Sequence, residues 1–511
     1  MQTNRAVVIG AGVGGLAAAI DLAVAGLDVT LVERAATPGG KLREVPIGTQ
    51  ALDAGPTVFT MRGIFQSLFE DAGDDLSRRL VLQPATVLAR HAWTDGSQLD
   101  LHADLEQSAE AVGMFAGAAE ARRFLAYSAH ACAVYQTLQK SFIEAQRPNP
   151  ISLTRRVGLS RLADLWRITP FHSLWTALGR HFRDPRLQQL FGRYATYCGS
   201  SPFAAPATLM LVSHVERDGV WFVEGGMHQL ALAMADLASR CGVNLRYSTQ
   251  AQAVTTRAGR VSGVTLEGGE QLPADLVICN GDAAAVSSGL LGADIARAVP
   301  AQPPSKRSLS AITWNLVATT DGFPLTHHNV FFSENYRAEF DDIFQHQRTP
   351  RMPTVYICAQ DRHHGDGKVE PERLLCLTNA PANGDRSTLS DSEIMQCEKR
   401  MLALLGNCGL KLEYRPTDRM VTTPADFNRL FPGTGGALYG MASHGWTASF
   451  RRPASKTSIP GLYLAGGSTH PGPGLPMATL SGRLAAQRAL ADLSSTAKSR
   501  MAAMPGGTST R

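Results

Sequence analysis

AVVIGAGVGGLAAAIDLAVAGLDVTLVER, Ala6 to Arg34, is the stretch whose reading decides the fold. Ala6 to Ile9 is a short apolar run, and Gly10, Gly12 and Gly15 follow it with G-x-G-x-x-G spacing. Leu16 to Val24 is alanine-rich and helix-forming, Gly26 breaks it, and Asp28 to Val32 returns as a strand ending at Glu33. Strand, glycine turn, helix and strand in this order form a βαβ unit of the dinucleotide-binding kind. Gly10 permits the tight turn, Gly12 lets backbone N–H groups approach a pyrophosphate, and Gly15 lets the helix pack on the strand. The helix N-terminus then faces the anion. Glu33 stands 23 positions after Gly10, where a carboxylate accepts hydrogen bonds from both ribose hydroxyls and repels a 2′-phosphate.

At 511 residues the chain is long enough for two to four domains or one large interleaved pair. Only five residues precede the first apolar run, which leaves no room for a secretory n-region. No apolar stretch has the length of a membrane-spanning helix. The eight cysteines contain no C-x-x-C pair and no structural-zinc spacing, so no metal site is expected and reduced thiols of a cytoplasmic protein are. The net charge of +5 is uneven: nine arginines from Arg147 to Arg193 stand against Asp164 and Asp184. Trp166, Phe171, Trp175 and Phe182 are interleaved with them, a composition suited to a membrane interface. No nucleic-acid-binding module accompanies the patch, so nucleic acid is not an expected partner.

Downstream of Glu33, the segment ERAATPGGKLRE supplies Gly39-Gly40 for another close backbone approach and Lys41 as a cation. Leu52 to Thr57 then makes a further sharp bend. These additions resemble the flavoprotein oxidoreductases related to glutathione reductase and amine oxidase. The resemblance implies an α/β fold, in which an FAD-binding Rossmann domain is interleaved with a mixed α+β substrate domain and a helical membrane-facing part. It implies FAD contacts from Gly10, Gly12, Gly14, Gly15, Glu33 and Arg34, and from Gly40, Lys41 and Leu42. Gly55, Pro56 and Thr57 belong to the same set, and Val254 is expected to meet adenine through its backbone.

On this reading residues 1–89, 216–300 and 421–493 build the FAD domain, 90–215 a helical substrate and membrane-facing region, and 301–420 the substrate sheet. Residues 494–511 read as a polar tail. A second glycine corner, YLAGGSTHPGPGLPMATLSG, runs from Tyr463 to Gly482. In the related flavoproteins such a corner sets a helix start beside the isoalloxazine, which assigns Gly466, Gly467, Leu475, Pro476 and Met477 to the ring. Both corners are therefore expected to grip one FAD. Ser468 and His470 are expected to cap and pack there, since nothing completes a nucleophilic triad.

THPGPGLPMA, GVWFVEGGMHQL and AGPTVFTMR resemble the bacterial carotenoid desaturases of the phytoene desaturase type, along nearly the whole chain. YATYCGSSPFAAPATLM and FPGTGGALYGMASHGWTASFRRP resemble the branch acting on hydroxyneurosporene and its methoxy counterpart in spheroidene synthesis. The implied reaction is 3,4-desaturation of an acyclic 1-hydroxy or 1-methoxy carotenoid drawn from a membrane, with the terminal electron acceptor unassigned. The implied location is the cytoplasmic face of the inner or photosynthetic membrane. Phytoene desaturases carry Arg before the paired glycines, whereas Glu224 stands here before Gly225-Gly226. Glu224 is thus a candidate acceptor for a substrate hydroxyl, and Glu224 and His444 are the candidate bases. Phytoene desaturation, a flavin amine oxidase and a flavin-free lipid escort remain the alternatives.

Overall fold

The computed structural model describes residues 4–157, 172–362 and 370–502. Arg5–Ile9 lies at the centre of a five-stranded parallel sheet, between Leu276–Cys279 and Asp28–Val32. Leu462–Leu464 and Asn244–Arg246 form its edges. The start, middle and end of the chain therefore share one sheet. Leu276–Cys279 is buried along its whole length, as a strand covered on both faces must be. The helix Val13–Val24 covers one face beside the long helix Leu475–Ala502, and the antiparallel meander from Ala251 to Pro273 covers the other.

A larger sheet carries Leu410–Glu413, Ser310–Gly322, Glu372–Ala380, Val355–Ala359, His328–Phe332, Val87–Trp93 and Gln98–His102 in spatial order, with Arg419–Thr422 beside Ser310–Gly322. The helix Asp391–Asn407 packs on one face around Trp314, Met401 and Leu405. The helices Ala118–Leu138, Leu174–His181, Pro185–Gly192 and Leu211–Asp218 close the other around Trp93, Tyr127, Phe191 and Phe332.

Two boundaries differ from the sequence reading. Residues 87–102 form a hairpin of the large sheet, so the sheet begins before the helical region. Gln98–His102 alternates exposed and buried positions, and Val87–Trp93 is held by a parallel partner, His328–Phe332, that no local pattern reveals. At the other end, the closing helix continues past Ser494 to Ala502. The hydroxyls of Ser494 and Ser495 bond back to the carbonyls of Leu490 and Ala491, and no Gly or Pro interrupts the run before Pro505.

Candidate active site

The two glycine corners touch. A Cβ on Gly14 would lie 2.7 Å from the carbonyl oxygen of Ala478 and 3.2 Å from Gly466 Cα. Asn280, at the carboxyl end of the strand Leu276–Cys279, sits between them. A Cβ on Gly12 would fall 2.7 Å from its Nδ2, and one on Gly466 2.9 Å from its Oδ1. Gly15 serves packing, since its Cβ would meet Gly10 O at 2.0 Å. Asn280 was missed by the sequence reading. The signal was its place just after a buried parallel strand, where doubly wound sheets hold their ligands.

Glu33 is buried with its orientation fixed. Its Oε2 accepts from Ala11 N at 2.7 Å and its Oε1 from Ala35 N at 2.8 Å. Gly39 N donates to Ala11 O at 2.9 Å, and a Cβ on Gly40 would stand 3.2 Å from Gly12 Cα. Lys41 Nζ donates to Leu438 O at 2.6 Å and lies over the Phe431 ring. Burial lowers its pKa, against the opposing charge of Asp282. Arg34 donates to the carbonyls of Arg429 and Leu430. A Cβ on Gly55 would clash with Lys41 O at 2.0 Å, so the bend into Pro56 and Thr57 rests directly on the lysine segment. Asp53, in that bend, accepts from Met227 N at 2.6 Å and His228 N at 3.1 Å, and so caps the helix His228–Arg240.

These groups line one continuous cavity of about 1010 Å³. Gly10, Gly12, Gly14, Glu33, Arg34, Gly40, Lys41 and Leu42 line one end. Gly55, Pro56, Thr57, Gly466, Gly467, Leu475, Pro476 and Met477 line it further along. It then passes between the helical region and the large sheet, past Leu209, Val212, Val330, Tyr336, Leu375 and Leu377. The residues fit FAD: side-chain-free glycines leave a cleft for the pyrophosphate, and a buried carboxylate faces the ribose position. The apolar remainder suits a long hydrocarbon.

Besides Gly15, which packs against Gly10 and does not line the cavity, three expected residues lie elsewhere. Val254 is buried off the cavity, and its amide is spent on Leu291 O at 2.9 Å; Gln250 and Ala251, earlier on the same hairpin, line the cavity instead. Glu224 is exposed and outside the cavity, because its amide bonds Val81 O and the left-handed Gly225 and Gly226 turn the chain outwards. His444 accepts at Nε2 from Ser201 N at 3.0 Å and packs on Phe344, also outside the cavity wall. Burial pulls its pKa down to about 4, so it stands as a neutral structural acceptor. Ser468 Oγ accepts from Ala283 N at 3.0 Å, at the start of the helix Ala283–Ser287. His470 Nε2 bonds Ala145 O at 2.9 Å.

The arginine window is not uniformly a surface. Residues 158–171, with Arg161 and Arg167, lie outside the described residues. Arg147 and Arg156 donate to backbone carbonyls, and Arg186 pairs with Asp184 and Asp95. Arg193 is 6% exposed and lines the cavity, so it does not belong to a solvent-facing patch.

Arg193 is the centre of a polar group that the sequence reading missed. Its Nη1 donates to Tyr197 Oη at 3.0 Å, and its Nη2 lies 3.8 Å from Glu216 Oε1. Tyr197 donates to Glu216 Oε1 at 2.7 Å, and Tyr194 donates to the other carboxylate oxygen. Burial works to lower the guanidinium pKa, but Tyr197, Glu216 and Tyr194 outweigh it and the net shift is upward. Arg193 therefore remains charged inside an apolar wall. Nearby, Thr57 Oγ1 and Tyr356 Oη are 2.7 Å apart, and Tyr356 Oη bonds His328 Nδ1 at 2.8 Å. His327, His328 and Cys358 bring their ligand atoms within 4.8 Å of one another, and burial raises the Cys358 thiol far above its ordinary range.

Residues 13–490 match the family of flavin containing amine oxidoreductases. The chain is 54% identical to the hydroxyneurosporene desaturase of Rubrivivax gelatinosus, over all of this chain and 98% of the relative. It is 44% identical to that of Cereibacter sphaeroides, over 96% of this chain and 98% of the relative. Among solved structures, a putrescine oxidase variant superimposes with a TM-score of 0.60 at 15% identity, covering 96% of this chain and 99% of that one.

Proposed function

The chain belongs to the carotenoid desaturases of the flavin containing amine oxidoreductase family, its cofactor is FAD, and we propose that it is a carotenoid 3,4-desaturase. Its substrate on this reading is an acyclic 1-hydroxy or 1-methoxy carotenoid such as hydroxyneurosporene, in spheroidene-type biosynthesis. The observation that carries the proposal is a cavity that runs from the glycine cleft into a largely apolar passage with the buried Arg193 cluster on its wall.

Bound FAD would supply the acceptor for the two electrons released when one C–H bond breaks on each of two adjacent carbons, the substrate losing two hydrogens, one as a hydride equivalent and one as a proton. The protein's own residues do the rest by position. Leu209, Val212, Val330, Leu375 and Leu377 exclude water and hold the chain in a fixed register, so the bond that is oxidised is the one reaching the Thr57 and Met477 segments. The putrescine oxidase likeness concerns the fold alone. Conversion of hydroxyneurosporene to a product with one more conjugated double bond, in a host expressing this chain, tests the reading; unchanged pigment would reject it.

The substrate's insolubility supports docking at a membrane surface. At ~0.8 kcal/mol per CH₂, a forty-carbon chain free in water lies on the order of 30 kcal/mol above its membrane-dissolved state. Among the described residues no helix is long and apolar enough to cross a membrane. Trp446 lines the cavity and is also exposed, and Leu153 on the helix Pro150–Val157 lines it within the arginine-rich window. This edge is the proposed contact. Cosedimentation with anionic vesicles, weakened as salt shortens the screening length to about 8 Å and below, is the expected result. Equal recovery without vesicles would count against it.

A further inference from the structure

We infer that Arg193, held by Glu216 and Tyr197, is the site that receives the substrate's C1 oxygen and thereby sets which bond is desaturated. This rests on the carotenoid reading above and assigns the recognition of the polar terminus to residues other than Glu224.

A guanidinium is donor-only, with five N–H groups in a fixed fork. The structure uses Nη1 for Tyr197 and leaves Nε and Nη2 without hydrogen-bond partners, shielded from bulk water. Unpaired buried donors are costly, and here they belong to a residue lining a cavity shaped for hydrocarbon. The neighbouring carboxylate cannot turn to the ligand, since Tyr194 and Tyr197 each donate to one of its oxygens. It serves to hold the charge and orientation of Arg193. What the site lacks is an acceptor, and an alcohol or methyl ether oxygen supplies one whereas a hydrocarbon terminus does not.

The location matches the chemistry. Tyr356 lies within electrostatic reach of Tyr197 and Arg193 and is hydrogen-bonded to Thr57, which follows the Gly55-Pro56 bend. Arg193, Tyr197, Tyr356 and Thr57 all line the same cavity, so the polar cluster shares it with the Gly55-Pro56 bend. In a 1-hydroxy carotenoid only carbon 2 separates the oxygen-bearing carbon from the 3,4 bond. Anchoring the oxygen at Arg193 brings that bond, and not one deeper in the polyene, to the reacting position.

The test compares neurosporene with its 1-hydroxy and 1-methoxy derivatives on the FAD-loaded protein. The alcohol and the ether should be turned over at similar kcat/KM, each roughly ten- to 150-fold above the hydrocarbon, because both offer an acceptor to a charged donor. Rejection of the ether alongside the hydrocarbon would mean that the site accepts a hydrogen bond instead, and would overturn the assignment. The double variant Arg193→Met/Glu216→Gln leaves no buried charge unpaired. It should retain FAD and lose the preference, mainly through a raised KM for the alcohol and the ether. An unaltered preference in it would also overturn the inference. If the double variant fails to retain FAD, Arg193→Lys, which keeps the charge but not the fork, should still narrow the preference; an unchanged ratio would reject the role. Failure of the unmodified protein on all three carotenoids would instead defeat the carotenoid reading itself.

Discussion

Gly14 and Gly482, which belong to glycine corners at opposite ends of the chain, are in direct backbone contact: a Cβ on Gly482 would stand 1.9 Å from the carbonyl oxygen of Gly14. The obstacle is backbone on a helix whose N-terminal residues line the cavity, so it cannot swing aside as a side chain would. Gly482→Ala should therefore cost about 1–3 kcal/mol of stability, in the range of overpacked cores, and lower FAD content with it. Thermal unfolding and flavin absorbance of the purified variant check this; a variant as stable and as yellow as the parent would contradict it.

Glu33 holds two backbone donors while facing the cavity. In Glu33→Gln the amide NH₂ must confront either Ala11 N–H or Ala35 N–H, leaving a buried donor unpaired at about 1–3 kcal/mol. FAD affinity should fall by roughly five- to 150-fold. Flavin fluorescence titration of the apoprotein measures it.

The exposed position of Glu224 carries its own expectation. Glu224→Gln should leave turnover and substrate preference within about twofold, as surface substitutions usually leave stability within ~0.5 kcal/mol. A loss of turnover by a factor of ten or more in steady-state assays would return Glu224 to the reacting site.

Burial raises the pKa of Glu339 from an ordinary 4.5 to about 7, opposed by hydrogen bonds from Thr354 and Asn379. Between pH 4.5 and 7 the unfolded chain has released this proton while the folded chain keeps it. The unfolded state then binds fewer protons, so stability falls as pH rises through that window, by about 3 kcal/mol in total. Glu339→Gln should gain on the parent above pH 7 and match it near pH 4, where Asn379 can reverse its amide to suit. Parallel melting-temperature profiles for the two proteins across this range would reject the assignment.

The parts of this molecule that local pattern specifies were legible in the sequence. Gly10, Gly12, Glu33 and the Pro-Gly corner near Leu475 announce themselves by residue type and spacing, because the conformations they serve admit little else. Facing is different. Glu224 and His444 sit in motifs close to the site in sequence, yet a turn of two left-handed glycines carries one to solvent and a single hydrogen bond from Ser201 ties the other into packing. Arg193 was hidden for the opposite reason. It reads as one more cation in a basic window, and its carboxylate partner Glu216 lies on a separate helix. The run Arg193-Tyr194-Ala195-Thr196-Tyr197, with two phenols beside one guanidinium, was the available signal.

The most direct test of the central claim is an anaerobic single-turnover measurement on the FAD-loaded protein with 1-hydroxyneurosporene. The expected result is loss of the oxidised-flavin absorbance, matched mole for mole by a carotenoid lacking two hydrogens, with its new double bond between carbons 3 and 4 and its spectrum shifted to the red. Flavin that stays oxidised in the presence of this carotenoid, or a new double bond at any other position, would contradict it.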